Sequence, residues 1–61
     1  MIKEYDVVKA KSTLSEKIRM GMLGTVVMIY DNPNLAYEVE FESDGSTELM
    51  TVSIDEIEKC N

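Results

Sequence analysis

From Leu35 to Glu42 the chain reads Leu-Ala-Tyr-Glu-Val-Glu-Phe-Glu, and this alternation constrains the fold more than any other stretch. Side chains leave a strand on opposite faces in turn, so Leu35, Tyr37, Val39 and Phe41 share one face and Ala36, Glu38, Glu40 and Glu42 the other. Such a stretch predicts a strand with one buried and one solvated face. Turn signals bound it on both sides. Asp31-Asn32-Pro33-Asn34 precedes it, and Ser43-Asp44-Gly45-Ser46 follows, with Asp-Gly as a short-hairpin signature.

The run Met22-Leu23-Gly24-Thr25-Val26-Val27-Met28-Ile29-Tyr30 predicts the central strand. Val26, Val27 and Ile29 are stiff at χ1 and suit a pleated surface, and Thr25 and Tyr30 share that preference. Gly21 and Gly24 suit a tight reversal followed by close approach of two backbones. Strict alternation sets Val26, Met28 and Tyr30 against Val27 and Ile29, which leaves both faces apolar. A strongly curled sheet, or a bulge near Val27, would reconcile that.

Around these two strands the rest falls into place. Tyr5 to Ala10 predicts a short first strand with Val7 or Val8 inward. Lys11 to Met22 is a polar excursion, with room for one helical turn and with Leu14 and Ile18 as pins to the core. A loop of this length is a candidate binding edge as well as a cover for the end of the core. Thr47 to Val52 predicts a fourth strand, whose pattern leaves open whether Leu49 or Met50 faces inward. Ser53-Ile54-Asp55-Glu56 has the capping-box form, and Ile57 to Cys60 returns as a fifth strand beside the first. The expectation is all-β: one domain over residues 1–61, a small five-stranded SH3-like barrel with one short helical turn before the last strand.

Charge narrows the partners. The net charge is −6, with 12 acidic and 6 basic residues. Five of the six basic residues lie at or before Arg19, while every acid but Glu4, Asp6 and Glu16 lies beyond Gly21. This balance opposes direct nucleic-acid binding, whose affinity comes largely from Lys and Arg neutralising phosphates. It suits another protein with a basic surface. No apolar run approaches the roughly 20 residues of a membrane helix, and Met1 to Asp6 lacks a signal-peptide core, so no membrane association and a cytoplasmic location are expected. Cys60 is the only cysteine, which fits a reducing compartment and predicts a small apolar residue closing the last strand rather than a reactive thiol.

No catalytic constellation, cofactor motif or phosphate loop is present, and no enzyme is expected. Glu38, Glu40 and Glu42 are paired carboxylates, but general acid-base work needs two carboxyls with separated pKa values in a cleft. An open strand face provides no such cleft. A cation held by Glu38, Glu40 and Asp44 would need oxygens converging from one loop. The sharper expectation is a ladder of negative charge, Glu38, Glu40, Glu42, Asp44 and Glu48, that docks on a basic partner. The same face, taken alone, confers solubility and guards against edge pairing. Met20, Met22, Met28 and Met50 add a candidate adaptable apolar patch, with Met20 and Met22 on the loop as partner-binding candidates and two of the four filling the core.

Ile2-Lys3-Glu4-Tyr5-Asp6-Val7-Val8, then Gly21 and Gly24 with Thr25-Val26-Val27, Tyr30 and Ala36 to Phe41, resemble a family of short, uncharacterised bacterial domains with an SH3-like barrel. The resemblance spans nearly the whole chain. It implies a small non-enzymatic protein of the kind found in two-gene cassettes, an antitoxin or immunity-type protein. Met20, Met22 and Met28 depart from that pattern, where polar residues are commoner. Gly21-x-x-Gly24-Thr25-Val26 is also similar to the start of the KOW motif, whose barrels often touch RNA through basic surfaces. Between Arg19 and Lys59 this chain has no Lys or Arg. The function expected is a protein-binding module that masks a basic partner, with a structural subunit or assembly factor as the alternative.

Overall fold

A computed structural model describes residues 1–60. Five antiparallel strands form one sheet: β1 (Val7–Ala10), β2 (Leu23–Tyr30), β3 (Ala36–Ser43), β4 (Ser46–Val52) and β5 (Ile57–Lys59). Their order is β4-β3-β2-β1-β5, so β2 is the middle strand as its composition predicts. A 3-10 turn over Ile54–Glu56 precedes β5. The sheet curls round its core without closing: β4 and β5 are its two edges, and among the described residues no ladder joins them.

The core is the inner face of the curled sheet, built from Val8, Ala10, Val26, Tyr37, Val39, Phe41, Val52 and Ile57, with Ile2 and Ile18 brought in from outside it. In β3 the alternation holds for Tyr37, Val39 and Phe41, all buried. Leu35 departs from it. It lies before the strand begins and is half exposed, because the turn at Asn32-Pro33 runs out to its position.

A bulge reconciles the two apolar faces of β2. Val26 pairs with Val39 and Met28 with Glu38, so two steps of β2 span one step of β3 and Val27 is the extra residue. Before the bulge Gly24 and Val26 point inward; after it Ile29 does, and Met28 and Tyr30 turn outward. Val26, Met28 and Tyr30 therefore do not share a face. Gly24 sits opposite Phe41, and an added Cβ would lie 2.7 Å from Val39 Cγ1, 2.9 Å from Phe41 Cδ1 and 2.9 Å from the Glu40 carbonyl oxygen. The ring of Phe41 occupies the space that any larger residue at position 24 would need. Gly21, at φ +92, serves the other purpose, the turn that delivers the chain into β2.

β1 is shorter than Tyr5 to Ala10. Tyr5 adopts φ +70 and lies in a turn with Asp6, where the Asp6 N–H donates to the Lys3 carbonyl at 3.1 Å. Val8 is the inward valine and Val7 is exposed. Residues 11–22 contain no helical turn. Their bonds are made by turns instead, with Ser15 Oγ accepting from the N–H groups of Lys17 and Ile18 and Thr13 Oγ1 accepting from that of Met20. Ile18 is buried and Leu14 packs against the core, so the loop covers one end of it. At Ser53, the N–H donates to Glu56 Oε1 at 2.9 Å while the Glu56 N–H donates to the Ser53 carbonyl at 3.0 Å, closing the turn that aims β5 back beside β1.

Candidate protein-binding face

The outer face of the sheet is set by register. One row across it runs Val7 on β1, Thr25 on β2, Glu40 on β3 and Leu49 on β4. A second joins Met28, Glu38 and Thr51, and Glu42 stands beside Thr47. Glutamates at every second position of β3 thus lie along the middle of this face, roughly 7 Å apart along the strand. Apolar side chains flank them: Leu23, Met28, Tyr30 and Leu49 are all exposed.

The three glutamates are not equivalent. Glu38 is half-buried, and its Oε1 accepts the Thr51 hydroxyl at 2.7 Å and, more weakly, the Tyr30 hydroxyl at 3.4 Å. It ties β2, β3 and β4 together. Glu40 and Glu42 are exposed, and among the described residues neither forms an ion pair. Their charge is therefore left for whatever approaches the face.

Of the two remaining predicted acids, one falls elsewhere. Glu48 pairs with Phe41, which puts it on the inner side of the sheet, opposite to Glu38, Glu40 and Glu42. Its carboxylate lies 3.8 Å from Lys17 Nζ, so it fastens the β1–β2 loop to β4 rather than extending the acidic ladder. Placing it on that ladder required knowing which of Leu49 and Met50 faces in, and the pattern of β4 left that open. Asp44, at φ +44, is exposed in the β3–β4 turn at the end of the ladder.

The methionines do not form one patch. Met22 and Met50 pack against the core, and Met22 Sδ accepts the Arg19 N–H at 3.4 Å. Met20 is 69% exposed on the loop, and Met28 is on the outer face of the sheet, so these two belong to different surfaces. Met28 and Leu49 are apolar residues paired directly with Glu38 and Glu40, and only β-sheet register reveals it.

Asp6 is the carboxylate whose acidity the fold changes most clearly. The Lys3 N–H donates to its Oδ2 at 2.8 Å, and that bond, with Lys59 Nζ 3.5 Å away, lowers its pKa from the ordinary 3.8. The pair holds the start of β1 to the end of β5. Cys60 is half-buried just beyond β5, its N–H donating to the Val7 carbonyl at 2.9 Å. Among the described residues no three carboxylates or cysteines converge as metal ligands would, and no helix is long and apolar enough to cross a membrane.

A five-stranded open sheet with an unbroken apolar core and a mixed acidic and apolar outer face defines a small all-β domain whose distinctive chemistry is on its surface. The chain belongs to the family described as a domain of unknown function (DUF4926), which matches residues 4–59. No curated protein and no solved structure matches it.

Proposed function

We propose that this chain is a non-enzymatic protein-binding module, with an SH3-like strand arrangement, whose outer sheet face docks on a basic surface of another protein. The observation that carries this reading is the state of Glu40 and Glu42: exposed, without a cation of their own, and set among exposed Leu23, Met28 and Leu49. Apolar side chains supply contact area, and uncompensated carboxylates supply orientation and steering toward a positive partner. Masking a basic partner is the action of an antitoxin or immunity-type protein in a bacterial two-gene cassette, and that is the role proposed.

The test uses the tagged chain and the protein that co-purifies with it. Association should slow as salt rises, since screening shortens to about 8 Å at physiological ionic strength. Glu40→Gln with Glu42→Gln should weaken binding and reduce that salt dependence without changing the melting temperature. Glu38 is left intact because it holds Thr51 and Tyr30. Equal affinity of variant and wild type, with no salt dependence in either, would refute the reading and favour a subunit held in a stable complex by apolar contact.

A further inference from the structure

The two edges of the sheet are finished differently. β5 is three residues long and carries Glu58 and Lys59. β4 is seven residues long, pairs with β3 without a register shift, and contains no Lys, Arg, Pro or Gly. Long, regular edges with little charge invite another strand, and proteins normally blunt them; the one charge on β4, Glu48, has Lys17 3.8 Å away. The backbone on this edge is also available. Asp44 and Gly45 both have positive φ, which makes the two-residue turn of a tight hairpin with Ser43 and Ser46 as its bonded pair. Alternation from that pair binds Glu48, Met50 and Val52 to β3 and turns the N–H and C=O groups of Thr47, Leu49 and Thr51 outward. No backbone hydrogen bond from another element reaches them among the described residues.

We infer that β4 is a self-association edge, and that a second copy of this chain adds its own β4 antiparallel to it across a two-fold axis at Leu49. Three observations select this occupant and register. With Leu49 facing Leu49, all seven residues overlap, and the outward groups of Thr47, Leu49 and Thr51 meet those of Thr51, Leu49 and Thr47 in the second copy. Leu49, which is 59% exposed, then gains an apolar neighbour, and Glu48 faces Met50 rather than another carboxylate. Moving the axis to Glu48 would set two carboxylates face to face, and moving it to Met50 would shorten the overlap. Lys17 beside each Glu48 further reduces the charge near the axis.

Because each copy carries a net charge of −6, the two repel at long range, and salt should strengthen their association. That sign is opposite to the one expected for a basic partner, so this inference and the proposed function fail separately. The pairing leaves Glu40 and Glu42 on an outer face that runs on from one copy into the other.

The test is sedimentation of the full chain from micromolar to millimolar concentration at low and high salt, with amide exchange followed residue by residue. The expected mass rises from one chain toward two with concentration, further at high salt. The amides of Thr47, Leu49 and Thr51 should gain protection with concentration, while those of Glu48, Met50 and Val52 are protected throughout. Leu49→Lys sets two ammonium groups opposite each other and should sediment as one chain under all conditions with an unchanged circular dichroism spectrum. Leu49→Pro removes an outward N–H without removing a bond to β3 and should do the same. A single-chain mass throughout, dimerisation of Leu49→Lys as strong as that of wild type, a dimer weakened by salt, or protection appearing on β5 instead would each overturn the inference.

Discussion

The two faces of β3 are built from neighbouring residues and follow different rules. Inward, Tyr37, Val39 and Phe41 are buried against Val8, Val26 and Val52, and the spacing is so close that β2 must place a glycine opposite Phe41. Outward, Glu38, Glu40 and Glu42 are flanked on the neighbouring strands by Met28, Thr25, Leu49, Thr51 and Thr47, and only Glu38 is bonded to any of these. Packing fixes the first face to tenths of an ångström, while solvent tolerates almost any arrangement of the second. A function that needs surface chemistry can therefore vary the outer face without touching the fold, and the inner face has no such freedom.

The largest effect that tests this contrast is on the inner face. Phe41 is fully buried at the centre of the sheet, and Phe41→Ala should cost roughly 3 to 5 kcal/mol. A chain this short has little stability in reserve, so the variant should be unfolded at room temperature. A cooperative melt at the wild-type temperature would show that the inner face tolerates change as freely as the outer one.

Next is Gly24. A Cβ there meets the Glu40 carbonyl oxygen at 2.9 Å, and that backbone atom belongs to the β2–β3 ladder and cannot swing aside as a side chain can. Gly24→Ala should cost about 1 to 3 kcal/mol by overpacking, and Gly24→Val more. Thermal melting of both variants checks this. Pairing Gly24→Ala with Phe41→Leu separates the contributions, because partial recovery would assign the cost to the ring and none would leave it with the carbonyl and Val39 Cγ1.

The outer face yields a smaller effect with an internal control. Glu38→Ala removes the acceptor of the Thr51 hydroxyl and should cost about 1 kcal/mol. Glu40→Ala removes no bond and should stay within about 0.5 kcal/mol of wild type. Equal losses at the two positions, measured by urea denaturation, would mean that Glu38 is as free as its neighbour.

How much of this could be read from the residues follows the same division. Alternation over Leu35 to Glu42, the glycine pair, the Asp-Gly turn and the capping-box pattern foretell strands, hairpin and final turn, because each expresses a local backbone requirement. The bulge at Val27 was legible only as a conflict between two apolar faces. The separation of Glu48 from the other glutamates was not legible, since β4 offers Leu49 and Met50 with equal claim to the core and only its register against β3 decides. Closure was also beyond local pattern: whether two edges meet depends on the curl of the whole sheet. The binding face suffers most from this, because its members come from four strands and meet only through register.

A weaker effect comes from a carboxylate on neither face of β3. Asp6 accepts the Lys3 N–H and faces Lys59, and these favour its charged form, lowering its pKa in the folded chain from the ordinary 3.8. A carboxyl that is more acidic when folded stabilises the fold fully above its unfolded pKa, and loses that contribution as pH falls through the lower folded value. The contribution is therefore complete at neutral pH and disappears only below about pH 4. Asp6→Asn should lower stability slightly at pH 7 and flatten its decline in acid, so that the melting temperatures of variant and wild type converge as pH drops. Lys59→Met should act in the same direction but more weakly, because the Lys3 N–H is the larger cause and survives that substitution. If the gap between Asp6→Asn and wild type stays constant from neutral to acid pH, Asp6 holds the ends of β1 and β5 together by shape alone, and its charge contributes nothing.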